Sequence, residues 1–354
     1  MITQRASVIP YSIARQPWGM LIPLFLLVAF GAAVLFSAAG GSMQPYASSH
    51  LVRFSVALVI AAVITALPRD FVKLMTYPVY LIVLVMLIGV EAMGALRGGS
   101  QRWLDLGFMN LQPSELMKPV IVVTLALFYS ALPASMVTNW RALFVPGTMI
   151  ALPMGLVLMQ PDLGTSLAIA FGGGVVMLLA GLPMRWFVGG GLAALAAAPL
   201  IFYFGLKDYQ QRRILTMFDS EADALGDGYH IAQSKIAIGS GGLFGKGFNN
   251  GSQSHLQYLP EPHTDFVFAT MAEEWGLIGG LFVLAVFTVI LRWGLNVARA
   301  STDRFSSLLA AGMSATIFFY IAVNLMMVMG MAPVVGIPLP FMSHGGSSML
   351  TDRI

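Results

Sequence analysis

The chain has 354 residues, of which 57% are hydrophobic and only 10% charged, against about a quarter charged in ordinary soluble domains. That balance, with a mean hydropathy of +0.80, excludes soluble enzymes, nucleic-acid binders and disordered scaffolds and points to a membrane protein made of one bundle of spanning helices. The net charge is only +3, from 19 basic and 16 acidic residues, so the placement of charge says more than its sum. Cysteine is absent, which excludes disulfides, thiol nucleophiles and cysteine metal sites.

A span needs about 20 apolar residues to cross about 30 Å of hydrocarbon at about 1.5 Å each. Apolar runs bounded by charge, Pro or Gly clusters occur at 19–38, 52–68, 71–93, 114–132, 141–159, 163–182, 185–205, 266–291 and 307–331. These predict an all-α integral membrane fold, a polytopic bundle with nine visible spans, in which residues 1–354 form a single domain with one long extracytoplasmic loop, 206–265. The first run resembles a secretory signal, with Arg5 and Arg15 ahead of it and Ser37-Ala38-Ala39-Gly40 at its end, but its length and the many runs that follow favour a true span.

Basic residues in short loops favour the cytoplasm. With the N-terminus inside, the cytoplasmic turns hold Arg5, Arg15, Arg69, Lys73, Arg141, Arg185, Arg292, Arg299 and Arg304 against only Asp70 and Asp303. The other face receives 94–113, the turn at 160–163, the long loop and 332–346, with His50, His230, His255, His263, His344 and most of the acids. Polar chemistry is therefore expected on the outer face.

The first outer motif is Gln112-Pro113-Ser114-Glu115-Leu116-Met117-Lys118-Pro119, at the start of the fourth span. Pro113 suits a first helical turn, and Glu115 lies near the positive end of the helix dipole. Glu115 and Lys118 share a helix face and can pair. A helix start with a snorkelling lysine would read the same way, yet an ionisable pair in a span normally faces a water-filled cavity. Next, Gln160-Pro161-Asp162-Leu163-Gly164-Thr165-Ser166 forms a turn in which Asp162 is either a helix cap or a second outer carboxylate.

The richest stretch runs from Gly239-Ser240-Gly241-Gly242-Leu243-Phe244-Gly245-Lys246-Gly247 to Pro262-His263-Thr264-Asp265-Phe266. It fails the Walker pattern, because Ser240 stands where the first Gly is needed and Gly247 follows Lys246. Its glycines let backbone approach a bulky ligand or a neighbouring loop, or simply add flexibility. Asp265 stands at the aqueous mouth of the eighth span, where partial desolvation suits a general base; a helix cap is the plainer role. His263 and Asp265 alone make no complete metal set. Arg53, Arg102, Arg212, Arg213 and Lys246 fall on the face that the positive-inside rule leaves poor in cations, which suits an anionic ligand, since the guanidinium fork fits phosphate. Finally, Pro338-Leu339-Pro340-Phe341-Met342-Ser343-His344-Gly345-Gly346 breaks a would-be helix, tolerated at membrane depth where backbone lines protein or a cavity.

Together these motifs resemble the SEDS family (shape, elongation, division and sporulation) of peptidoglycan glycosyltransferases, with five motifs in the family's order across 95–348. Asn249-Asn250-Gly251-Ser252-Gln253-Ser254 and Pro333-Val334-Val335-Gly336-Ile337-Pro338-Leu339-Pro340 resemble its elongation branch more than its division branch. The resemblance implies ten spans with both termini cytoplasmic in the bacterial cytoplasmic (inner) membrane. It implies lipid II and the growing glycan strand as ligands, and a class B penicillin-binding protein transpeptidase and the elongation machinery as partners, among membrane lipid and without nucleic acid. It makes Asp265 the essential aspartate of a His-Thr-Asp-Phe motif, and carries Gln-Pro-Ser-Glu-x-x-Lys onto Glu115 and Lys118 and Gln-Pro-Asp-x-Gly-Thr onto Asp162. The chain departs from the pattern at His344, where the family carries Tyr, and in ending at Ile354, where the tenth span would begin.

Glycan polymerisation requires a base for the acceptor's 4-hydroxyl and a cationic clamp for the departing diphosphate. Asp265 is the expected base; Lys118, held by Glu115, with Arg53, Arg102, Arg212 and Arg213, is the expected clamp. Asp162, Lys246, His263, Ser343 and His344 complete the expected substrate-binding set. A divalent cation, Mg or Mn, could share the clamp with Asp162 or Asp265 as ligand, although the sequence contains no full coordination set. A flippase for a lipid-linked saccharide would spread polar groups through the bilayer rather than gather them at one face, and a non-catalytic scaffold would leave Asp265, Glu115 and Lys118 without a task.

Overall fold

The structure is a computed structural model that describes residues 16–344 apart from 94, 98–99, 106–109, 161, 206–209, 212–214, 216–226, 257 and 260–261. In chain order its elements are α1 (Trp18–Ala38), α2 (Tyr46–Ala66), α3 (Arg69–Met93), β1 (Ala95–Arg97), β2 (Ser100–Asp105), β3 (Asn110–Leu111), α4 (Pro113–Ala131), α5 (Trp140–Met159), α6 (Leu163–Leu179), α7 (Met184–Leu200), α8 (Asp227–Ser240), α9 (Ser252–His255), α10 (Val267–Ala300) and α11 (Arg304–Val328). All the helices except α8 and α9 coincide with expected spans. Among the described residues seven helices are long and apolar enough to cross a membrane, and α6 and α7 are shorter apolar helices.

Local sequence sets the helix ends. α4 starts with Pro113 in its first turn, where a missing N–H leaves nothing unsatisfied. Asp162 caps α6 by accepting from Thr165 N at 3.1 Å, and Asp303 caps α11 by accepting from Ser306 N at 3.3 Å. α10 continues to Ala300, past the expected limit, because Arg292 interrupts the apolar run without interrupting the backbone.

The structure adds to the sequence reading in three places. The segment between α3 and α4 contains a small antiparallel sheet, β1-β2-β3, with Leu96 opposite Gln101 and Leu104 opposite Leu111. The expected loop 206–265 contains α8, which is anchored on the bundle by the buried Ile231 and Ala237 and by Ser234 Oγ donating to Val328 O at 2.8 Å. The expected continuous eighth span is broken at Gly276, whose φ of 63° and ψ of −160° are not helical. The glycine-rich turn 241–247 fills that break. Lys246 N and Gly247 N donate to the Glu273 and Glu274 carbonyls at 3.0 Å each, while Leu277 N and Ile278 N donate to Gly242 O at 2.9 Å and Leu243 O at 3.2 Å. Backbone groups freed inside a membrane helix need such partners, since lipid offers none. The approach is backbone to backbone: a Cβ on Gly241 would overlap the Ala272 carbonyl, and one on Gly245 that of Glu274. Of the readings open for these glycines, the neighbour they admit is α10 itself.

Successive spans alternate in direction, so the ends of α1, α3, α5 and α11 and the starts of α2, α4, α6 and α10 gather at one end of the bundle. At the far end Arg304 donates to Leu132 O and Ala180 O at 3.0 Å each, joining the C-termini of α4 and α6 with a favourable charge. One apolar core forms among α1, α10 and α11, and a second among α3, α4, α5 and α6.

Candidate active site

The irregular segment 333–344 after α11 is where the separate motifs meet. The start of α6 backs onto it so closely that a Cβ on Gly164 would come 2.5 Å from Val335 O. Gly336 turns with φ +67°, and a Cβ there would stand 3.7 Å from Asp265 Oδ2. Further along, 338–343 lines a cavity of about 340 Å³ whose polar groups include Glu115, Lys118, Tyr320 and Ser343. Asp265 and the cavity of Lys118 therefore lie along one short stretch of chain.

Asp265 is half-buried in the turn that precedes α10. It is not the cap of that helix: Phe266 holds the N-cap position, and no side chain caps it. Asn324, buried near the end of α11, donates from Nδ2 to Asp265 O at 2.9 Å and to Ile337 O at 2.7 Å. The neighbouring His263 stacks on Tyr46 with ring centroids 3.9 Å apart, and its carbonyl accepts from His344 N at 2.8 Å.

Lys118 and Arg53 both stand at this end. Lys118 is buried, pairs with Glu115 Oε1 at 2.6 Å and lies 4.7 Å from the centre of the Tyr320 ring, a cation–π contact that helps to hold the charge. Glu115 itself is exposed, as expected of a first-turn acid. Arg53 Nη2 lies 3.1 Å from His344 Nε2. Because a guanidinium only donates, that ring nitrogen accepts and the proton sits on Nδ1. Burial, then the charge of Arg53 and the nearby His263, push the His344 imidazole down to about 4.

The remaining expected residues make contacts within the protein. Both Asp162 oxygens accept from Thr165, through its N–H and its hydroxyl, and Arg102 Nη1 stands 3.7 Å from Oδ2 while its Nε donates to Gln160 O at 3.1 Å. This motif builds the start of α6 against 335–337 and does not place an open carboxylate. Ser343 Oγ accepts from Leu339 N at 2.8 Å and closes the turn before His344. Lys246 pairs at 2.6 Å with Glu273, a carboxylate 0% exposed, which also accepts from Ser252 Oγ at 3.0 Å and Gln253 N at 3.1 Å. It thus pins the glycine-rich turn to α10. Arg212 and Arg213 lie outside the described residues. Among the described residues no group of three His, Asp or Glu side chains is placed to hold a metal ion. Both Asp162 oxygens are engaged, by Thr165 and Arg102, and neither Asp162 nor Asp265 is part of such a group of three among the described residues.

A sequence model of the cell cycle protein family FtsW/RodA/SpoVE matches residues 17–354. The chain belongs to this family. It is 41% identical over 337 residues to the peptidoglycan glycosyltransferase MrdB of Escherichia coli K12, across 94% of this chain and 89% of that protein. It is 34% identical over 334 residues to the probable peptidoglycan glycosyltransferase FtsW of Coxiella burnetii, across 92% and 88%. Among solved structures it resembles a chain of a peptidoglycan synthase complex that coordinates polymerization and crosslinking, with TM-score 0.79, 30% identity and coverage of 94% and 93%. It also resembles the rod shape determining protein RodA of Thermus thermophilus, with TM-score 0.70, 28% identity and coverage of 94% and 91%.

Sequence reasoning passed over Asn324, Tyr320, Tyr46 and Glu273. For Asn324 a signal existed, since an amide inside an apolar span requires partners. Tyr320, Tyr46 and Glu273 gave none until their neighbours in space were known.

Proposed function

We propose that this protein is a peptidoglycan glycosyltransferase of cell elongation, joining lipid II disaccharide-peptide units into glycan strands. Family membership and the 41% identity to MrdB support the activity. The observation that carries our reading of the site is the Asp265 carboxylate beside Gly336, with the buried Lys118 further along the same segment.

In this reading Asp265 takes the proton of the acceptor's 4-hydroxyl as that oxygen forms its bond to the donor's anomeric carbon. The bond from that carbon to the diphosphate breaks, and its electron pair leaves with undecaprenyl diphosphate. Lys118, kept charged by Glu115, and Arg53 at the same end stabilise the departing negative charge. Arg102 contributes by fixing the start of α6, and Arg212 and Arg213 stay in the clamp on sequence grounds. His263 and His344 shape the wall beside Asp265.

The likeness to a chain from a complex that joins polymerization to crosslinking supports a crosslinking partner, which we take to be a class B penicillin-binding protein transpeptidase. The end that carries Asp265 faces outward from the bacterial cytoplasmic membrane in this reading, supported by the excess of Arg and Lys at the helix ends on the far side. The test is polymerisation by purified protein with its partner and lipid II as sole substrate. Wild type should give glycan polymer and Asp265→Asn none; absence of polymer from wild type would refute the activity, and polymer from the Asn variant would refute the base.

A further inference from the structure

We infer that Asn324 is a positioning residue for the transferase, its amide fixing the backbone of Asp265 against Ile337 and so setting where the base carboxylate stands. This rests on the reading of Asp265 as the base. Asn324 is 0% exposed within a membrane-spanning helix, where a side-chain amide is costly unless bonded. Its Nδ2 spends both protons, on Asp265 O at 2.9 Å and Ile337 O at 2.7 Å. Two carbonyl oxygens face one atom, so that atom can only be the nitrogen, and the amide orientation is fixed.

The two carbonyls lie in irregular chain, the turn before α10 and the 333–339 stretch, so no helix or strand ladder sets their separation. Asn324 sets it from a rigid helix. The same bridge brings Gly336, next to Ile337, against the Asp265 carboxylate, where a Cβ would stand 3.7 Å from Oδ2. On the other side of the amide, Oδ1 is buried and has no partner among the described residues.

Four residues earlier, on the same face of α11, Tyr320 lies 4.7 Å from Lys118 Nζ. One helix therefore holds the base through Asn324 and the clamp lysine through Tyr320. The distance between base and leaving-group cation is set by consecutive turns of α11.

The test is steady-state polymerisation of lipid II by the protein with its transpeptidase partner. Asn324→Asp offers at most one proton to the two carbonyls, and Asn324→Gln keeps both protons but moves them by one methylene. Each should lower kcat at least about tenfold, towards the roughly 10²-fold that a 1 Å misplacement can cost, with KM changed by less than about threefold. Ile321→Ala, at a buried position on α11 outside the bridge, serves as the stability control and should lower the unfolding midpoint while keeping kcat within about twofold of wild type. Asn324→Gln with wild-type kcat, or with no greater loss than Ile321→Ala, would overturn the proposal even if Asn324→Asp failed to fold. Asp265→Asn run alongside must be inactive; an active Asp265→Asn would instead refute the base assignment, and the role of Asn324 with it.

Discussion

Arg53 on α2 and His344, the last described residue, meet at 3.1 Å, so a fixed cation depends on the neutral form of a buried imidazole. The His344 pKa of about 4 lies below the ordinary histidine value near 6.5. Between those values the unfolded chain takes up a proton that the folded chain refuses, so stability rises with pH there. The contribution is complete above about pH 6.5 and is lost as pH falls towards about 4. Thermal unfolding in detergent should show a lower midpoint at pH 5 than at pH 7.5, and His344→Tyr should reduce the difference, because a phenol accepts from Arg53 without titrating in that range. An equal pH response in wild type and variant would remove His344 from the account.

Glu115 and Lys118 are 2.6 Å apart, the lysine buried and the acid exposed, so they should behave as one unit. Lys118→Ala should slow polymerisation about 10²-fold, the usual scale for deleting a transition-state cation or donor. Glu115→Ala should slow it less, since Lys118 keeps Tyr320. The double variant should resemble Lys118→Ala alone rather than the product of the two losses. Losses that multiply fully would show that the pair does not cooperate.

The break in α10 predicts a sharp contrast between two glycines. Gly245 has φ +79°, and a Cβ there would overlap the Glu274 carbonyl, whereas a Cβ on Gly239 in α8 would meet nothing within 4 Å. Gly245→Ala should cost about 3 kcal/mol through backbone strain and overpacking, read as a fall in folded protein recovered from membranes. Gly239→Ala should be neutral or slightly stabilising. Comparable recovery of both variants would mean that the glycine turn does not dock on the break as described.

The spans were legible because apolar length is a property of contiguous sequence. The break at Gly276 was not, since Glu273-Glu274-Trp275-Gly276 reads as ordinary helix until the turn 241–247 is known to supply its missing bonds. α8 was missed for a related reason: Ile231, Ser234 and Ala237 show their anchoring role only against α10 and α11. Within the site, sequence spacing found the Glu115–Lys118 pair and singled out Asp265. It offered the helix cap for Asp162, which accepts from Thr165 three residues on, but could not say that Arg102 stands by Asp162 or that Lys246 answers Glu273, because those partners are brought near only by folding.

The orientation of the bundle can be tested cleanly because the chain has no cysteine. Leu256, 61% exposed, lies at the end that carries Asp265, and Thr302 is exposed in the connection between α10 and α11 at the far end. The far ends of the helices and their connections hold Arg69, Lys73, Arg141, Arg185, Arg292, Arg299 and Arg304 against Asp70 and Asp303, and such an excess near the span ends keeps loops in the cytoplasm. A single Cys at Leu256 should therefore react with a membrane-impermeant maleimide in intact spheroplasts, and a single Cys at Thr302 only after the membrane is opened. Labelling in the reverse order would put Asp265, Glu115 and Lys118 on the cytoplasmic side, and polymerisation on the outer face of the membrane would then have no base and no clamp.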